Sequence, residues 1–197
     1  EDMVANLPEH SILCLDEAYS EFVSKNELPQ IDPENPKVIR MRTFSKGYGM
    51  AGARIGYAIG ASTLIKSFDK IRNHFGINLL AQKAAVIAIE DQNYLKSVVL
   101  SVNKSKQKII KIATACGLKP IPSSANFVAV DCGKSASYAK EVLDGLVKRQ
   151  IFVRMPFIEP QNRCIRISAG NKGDLKRLGV ILPNVLDELT VKKHSWQ

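Results

Sequence analysis

The chain has 197 residues, 45% of them hydrophobic, a net charge of +9 and a pI near 9.4. This composition supports a packed core and argues against disorder. No apolar run approaches the roughly 20 residues of a membrane span. The opening Glu1-Asp2-Met3-Val4 lacks the basic-then-apolar order of a secretory signal.

Cys14, Cys116, Cys132 and Cys164 are widely separated and form no C-x-x-C pair, which argues against zinc and redox motifs. Cys14 and Cys164 lie in strand-like runs and read as buried apolar residues. A reducing cytoplasm is the default expectation. The positive charge is scattered along helical segments rather than blocked. It is compatible with nucleic acid or with a phosphorylated small substrate, and it decides neither.

In chain order, Ser11 to Leu15 reads as a short buried strand. It ends at Asp16-Glu17-Ala18-Tyr19. Ligands of open α/β sheets gather at the carboxyl ends of strands, which places Asp16 for function. An apolar strand ending in Asp-Glu also resembles the magnesium-binding strand of P-loop nucleotide hydrolases. The chain, however, holds no G-x-x-x-x-G-K-[ST] loop. For Glu17, a carboxylate that caps the next turn is a sufficient reading. Residues 20–37 are polar, carry Pro29, Pro33 and Pro36, and read as a surface connection.

Val38 to Thr43 is the second predicted strand and Ile55 to Ala61 the third. Between them lies Phe44-Ser45-Lys46-Gly47-Tyr48-Gly49-Met50-Ala51-Gly52-Ala53-Arg54. Strand, loop, strand, with the reactive groups on the loop, is where chemistry usually sits. Thr43, Ser45 and Arg54 offer two hydroxyls and a forked guanidinium, a set suited to phosphate oxygens. Lys46 would then sit beside that phosphate, within reach of an aldehyde on the same small molecule. A lone lysine in a glycine-rich turn is usually only exposed. Here its spacing from two hydroxyls and an arginine, between strands, argues for more.

Ser62 is expected to cap a helix over Thr63 to Phe75, stopped by Gly76. A second helix runs from Ile77 to about Glu90 and reads as buried. A third, Tyr94 to Ala115, is amphipathic, long enough to link two domains, and ended by Gly117. Its lysines read as a solvated face. From Leu118 the chain takes on the character of a small α+β unit. Pro120 and Pro122 mark a loop. Strands follow at Asn126 to Asp131, Ile151 to Arg154 and Cys164 to Ser168, with helices at Ser135 to Arg149 and Gly173 to Leu189. The domains expected are therefore 1–92, a linking helix 93–116, and 117–197.

Arg166 lies inside an apolar strand. Such an arginine either pairs with a buried acid or receives a ligand carboxylate through two parallel hydrogen bonds. Arg154 sits at a strand end, where plain exposure is the competing reading. For Asn126, capping of the strand entry competes with a ligand role.

Three segments carry a family resemblance: DEAY (16–19), TFSKGYGMAGARIGYAIG (43–60) and CIRISAG (164–170). Together they resemble fold-type I pyridoxal-phosphate enzymes, and among these the class I/II aminotransferases of the histidinol-phosphate aminotransferase group. The resemblance implies an α/β fold. It comprises part of the large mixed-sheet domain that binds pyridoxal 5'-phosphate, plus the small C-terminal α+β domain. It implies that Lys46 is the Schiff-base lysine, which also moves the proton. Asp16 would hold the pyridine nitrogen and Tyr19 the ring oxygen. Thr43, Ser45 and Arg54 would bind the cofactor phosphate. Arg166 would grip the substrate α-carboxylate, Arg154 a substrate phosphate, and Asn126 would lie at the same site. The implied reaction is transamination of histidinol phosphate, or a related aromatic amino acid, with 2-oxoglutarate, in a cytoplasmic homodimer without metal, membrane or nucleic acid.

The family pattern extends further on its N-terminal side. The resemblance thus implies that the first strands of the large sheet, the ring-stacking aromatic and a second asparagine are missing here, leaving a sheet edge unpaired. Two alternatives stay open: a decarboxylase of a phosphorylated amino acid on the same scaffold, and a non-catalytic aminotransferase-like sensor or fragment.

Overall fold

The computed structural model describes residues 2–194, arranged as two compact units that divide between Val99 and Leu100. After a short helix α1 (Asp2–Ala5), the first unit holds strands β1 (Leu13–Asp16), β2 (Val38–Thr43) and β3 (Gly56–Gly60) in the order β1-β2-β3. β1 and β2 run parallel, with Asp16 opposite Met41. β2 and β3 run antiparallel, with Thr43 opposite Gly56. A Cβ on Gly56 would lie 2.6 Å from the Arg42 carbonyl oxygen, so this close pairing requires glycine.

Side chains alternate across a strand, and this sorts β1 and β2. Cys14, Asp16 and Met41 are exposed, whereas Glu17 is buried on the side of Arg40 and Arg42. The expected burial of Cys14 is therefore corrected, because it shares the open face of β1 with Asp16. Cys164 is buried as expected.

The next helices are shorter or more exposed than their composition suggests. α2 spans only Ser62–Ser67 and passes into a 3-10 turn at Phe68–Lys70. The expected run to Phe75 fails because Ile71 and Phe75 find no apolar surface to cover, Phe75 being 95% exposed. Short helices depend on such burial. α3 (Leu79–Glu90) is capped by Asn78, whose Oδ1 accepts from the Ala81 amide at 2.7 Å. The expectation that α3 is buried is also corrected. Only Ala81 and Ala85 are buried, and Leu80 is 82% exposed.

α4 (Gln92–Ala115) begins where Asp91 Oδ1 accepts from the Tyr94 amide, and the division between the units falls within it. It ends at Gly117, whose φ of +71° suits glycine.

In the second unit β4 (Lys119–Pro120), β5 (Phe127–Asp131) and β6 (Cys164–Ser168) form an antiparallel sheet in that order. Pro120 was expected in a loop; it is tolerated in β4 because β4 is an edge strand. The expected strand at Ile151 to Arg154 reduces to one bridge, Arg154 to Arg166, because only Arg154 finds a register opposite β6. α5 (Ala136–Lys148), capped by the Ser135 hydroxyl, and α6 (Lys172–His194) complete the unit. Its core joins Ile109 of α4, Val128 and Val130 of β5, Val142 and Leu146 of α5, Ile165 of β6 and Leu182 of α6. Among the described residues no helix is long and apolar enough to cross a membrane.

Two neighbouring polar residues on α4 are buried in this unit. The Ser105 hydroxyl donates to the Gly170 carbonyl (3.1 Å) and accepts from its amide (3.0 Å), and Lys106 Nζ donates to the Ser123 carbonyl at 2.8 Å. These bonds fasten the chain just after β6 and just before β5. Burial lowers the Lys106 pKa below its ordinary 10.5. At neutral pH the amine is charged in both folded and unfolded chains, and the folded chain bears the desolvation cost. As pH rises from the lowered pKa towards 10.5, the folded chain gives up its proton first. Stability relative to Lys106→Met should therefore rise across that window. Urea midpoints of both chains between pH 8 and 10.5 check this, and a flat difference would contradict it.

Candidate active site

Residues 44–55 connect β2 to β3, and they form a braced loop. The Phe44 amide donates to the Ile55 carbonyl (3.2 Å), the Met50 amide to Phe44 (2.9 Å) and the Gly49 amide to Lys46 (3.0 Å). Phe44 packs its ring on Tyr48 at 4.9 Å and on Tyr57 at 5.4 Å, over Ile55, Ala81 and Ala85. A Cβ on Gly47 would lie 3.0 Å from Leu95 Cδ1 and 3.1 Å from Glu21 Cβ. The backbone next to Lys46 is thus pressed onto its support.

Lys46 is half-buried, and its Nζ stands 5.4 Å from the centroid of the Tyr19 ring. Tyr19 follows the carboxyl end of β1, so this contact brings the lysine loop to the strand end that carries Asp16. The Asp16 carboxylate is exposed and Oδ1 accepts from the Ala18 amide at 2.9 Å, leaving Oδ2 available to a ligand. Thr43 Oγ1 accepts from the Ser45 amide at 3.0 Å, which draws the two hydroxyl residues into one turn. Arg54 closes the loop in the left-handed region at φ 52°, exposed, with Nη1 donating to the Ala51 carbonyl at 2.9 Å. Its guanidinium folds onto its own turn rather than onto Thr43 or Ser45.

Beneath β1 and β2 lies an ion-pair network that sequence reasoning missed. Buried Glu17 accepts from Arg40 at 2.9 Å through one carboxylate oxygen and from Arg42 at 2.8 Å through the other. Its amide donates to the Met41 carbonyl at 2.9 Å. The available signal was Arg40 and Arg42, two residues apart on a buried strand and so on one face, which demands an acid on the neighbouring strand. Glu21 lies beside this network, and burial raises its carboxyl above the ordinary range.

In the second unit Arg154 and Arg166 are direct cross-strand partners. The Arg154 amide donates to the Arg166 carbonyl (3.1 Å) and the Arg166 amide to the Arg154 carbonyl (2.6 Å). Like charges directly opposite one another repel, and a shared or adjacent anion relieves this. The Arg166 guanidinium lies 4.7 Å over the Phe127 ring, and its Nε is buried without a hydrogen-bond partner. Such an orphaned charged donor is costly and fits a carboxylate acceptor. Asn126 enters β5 here, half-buried, its carbonyl accepting from the Ala169 amide at 2.8 Å. Among the described residues no cluster of His, Cys, Asp and Glu could hold a metal ion.

Residues 1–180 match the family model for aminotransferase class I and II. The chain is 35% identical over 174 residues to histidinol-phosphate aminotransferase 2 of Carboxydothermus hydrogenoformans, which covers 86% of this chain and 47% of that protein. A crystal structure of histidinol-phosphate aminotransferase from Sinorhizobium meliloti, in complex with pyridoxal-5'-phosphate, matches at 49% identity. Its TM-score is 0.91, covering 95% of this chain and 53% of that one. The L-threonine-O-3-phosphate decarboxylase of Porphyromonas gingivalis, 20% identical with TM-score 0.69 over 88% of this chain and 55% of that one, shares the fold alone. The chain spans about half the length of the curated relatives it matches.

Proposed function

Because the chain belongs to the aminotransferase class I and II family, we propose that it acts, as part of a pyridoxal 5'-phosphate enzyme, in transamination of histidinol phosphate or a related aromatic amino acid with 2-oxoglutarate. The observation that carries this reading is the braced lysine loop, with Lys46 Nζ set against Tyr19 at the strand end bearing Asp16. The similarity to histidinol-phosphate aminotransferases supports the substrate class. In this reading residues 1–92 are part of the cofactor-binding domain, 93–116 the linking helix and 117–197 the small domain.

The residues present fit the cofactor. An amine, an exposed carboxylate, two hydroxyls and a guanidinium match its aldehyde, ring nitrogen and phosphate in turn. When bound, pyridoxal phosphate supplies a ring that accepts the electron pair left on the substrate α-carbon. Lys46 would hold the cofactor's aldehyde through its amine, and that same amine would be the base that takes and gives back the substrate's α-proton. Asp16 keeps the ring nitrogen protonated through a charge-assisted hydrogen bond. Tyr19 donates to the ring oxygen. Thr43, Ser45 and Arg54 bind the phosphate, which requires Arg54 to swing off the Ala51 carbonyl. Arg166 takes the substrate carboxylate or its equivalent end, Arg154 the substrate phosphate, and Asn126 lines the same place. A homodimer and a cytoplasmic setting belong to this reading. The exposed apolar side chains of α3 support the first, and sedimentation of the chain tests it.

The test is to mix the full chain with pyridoxal phosphate and then with histidinol phosphate and 2-oxoglutarate. A visible absorbance band and glutamate formation are expected, and the absence of both would contradict the reading. Arg166→Ala should keep the band and lose about a hundredfold or more in kcat/KM, because it removes a bidentate charge contact. An unchanged kcat/KM in that variant would remove Arg166 from the site.

A further inference from the structure

The net positive charge is not shared between the units. Residues 100–197 hold 17 Lys and Arg against 7 Asp and Glu, whereas residues 1–99 hold 11 against 12. Part of that excess converges on one recess. Lys104 and Lys108 on α4 and Lys172 and Lys176 on α6 line a cavity of about 620 Å³, floored by Ser105 and Gly170. Each pair is one helical turn apart, about 6 Å along its axis, so both pairs present like charges on one face. Among the described residues none of the four forms an ion pair. The acid nearest along α6, Asp174, is turned to the Asn171 amide. The first amides of α6 are taken by the Asn171 side chain. The recess therefore offers four ammonium groups that, among the described residues, have no ion-pair partner.

We propose that this α4–α6 recess is a binding site for a small molecule carrying a chain of condensed phosphates, separate from the Lys46 and Arg166 sites. Lysine ammoniums are compact point charges that suit phosphate oxygens without demanding a fixed fork geometry. Their one-turn spacing on two facing helices presents paired charges to successive phosphates from both sides. No aromatic side chain lines the recess, so it lacks the stacking platform that single-stranded nucleic acid uses. Its concavity likewise favours a compact anion over a duplex. Occupancy would cancel the repulsion within each lysine pair and so stabilise the unit.

The experiment is thermal denaturation and calorimetric titration of the full chain with inorganic tripolyphosphate at low salt. A raised midpoint is expected, with an affinity that weakens as salt rises. The variant Lys104→Gln, Lys108→Gln, Lys172→Gln, Lys176→Gln should lose about tenfold or more in affinity. A control with four exposed lysines of the other unit replaced, Lys66→Gln, Lys70→Gln, Lys83→Gln, Lys96→Gln, should change it by less than about threefold. Should the recess variant not fold, protection of Lys104, Lys108, Lys172 and Lys176 in the unaltered chain from acetylation by an activated ester gives the same answer. A nucleoside triphosphate that binds as well as tripolyphosphate means that only the phosphates are read. One that binds more tightly means that the nucleoside is read too, and either supports the site. The proposal is overturned by no rise in midpoint, by equal losses in the recess and control variants, or by binding that survives the recess variant because it occurs at Thr43 or Arg166. Tighter binding of a single-stranded RNA than of tripolyphosphate also overturns it.

Discussion

Lys46→Ala should abolish transamination, with a loss of about a thousandfold or more, while the chain stays folded. The proposed chemistry asks two things of one amine, a covalent bond to the cofactor and a proton transfer, and the second alone is worth about 10² to 10⁴ in rate. The fold asks far less of it. Lys46 is half-buried, its visible contact is the Tyr19 ring at 5.4 Å, and the loop is held by Phe44, Tyr48 and backbone hydrogen bonds that a change at Lys46 leaves alone. A partly exposed cation–π contact contributes about 0.5–1 kcal/mol. Lys46→Arg sharpens the point, because it keeps the cation over Tyr19 and removes the nucleophile. Assays of glutamate formation alongside urea melts separate these effects. Activity in Lys46→Arg within tenfold of the unaltered chain would contradict the role.

One residue away from Asp16 the expectation reverses. Glu17→Ala should destabilise the first unit by about 3–5 kcal/mol, because it strands two arginines that share one buried carboxylate. The core of that unit is small, gathered around Phe44, Tyr48, Ile55, Ala81 and Ala85. A loss of this size is a large part of what a domain has to spare. Asp16→Asn, on the open face of the same strand, should change stability by less than about 0.5 kcal/mol, yet cost activity, since it cannot stabilise a protonated ring nitrogen. Urea denaturation of both variants measures the contrast. A Glu17→Ala loss below 1 kcal/mol would mean that the Arg40 and Arg42 pairs are better served by water than the buried geometry implies.

How much of this could be read from residues alone differs by element, for physical reasons. β2 and β6 match their predicted bounds, because both are short apolar-rich runs, at least partly buried and bracketed by turn residues, and such runs have few alternatives. α4 was legible from its apolar spacing, and α5 was expected within about one residue of its observed ends. The reading failed where it took apolar content for burial. Leu80, Val86 and Ile87 on α3, Phe75 beyond α2 and Cys14 on β1 show that a pattern gives the apolar side of an element and not what covers it. It failed at Ile151 to Arg154 because pairing depends on a partner register that only the folded sheet supplies.

At the site, Thr43, Ser45, Lys46 and Arg54 were legible because they lie on one loop, and Asp16 because it ends a strand. The Glu17 network was not, since Glu17, just past the end of β1, meets two arginines of β2 more than twenty residues away. The pairing of Arg154 with Arg166 was hidden for the same reason: the bridge that sets them opposite one another joins segments twelve residues apart.

The most direct test of the central claim is to treat the full chain with pyridoxal phosphate, reduce it with borohydride, digest it and locate the added mass by peptide mass spectrometry. The account predicts that the cofactor is locked onto the peptide containing Lys46 and that Asp16→Asn and Arg54→Ala weaken the labelling. Label spread over the exposed lysines, or concentrated on any lysine other than Lys46, would contradict it.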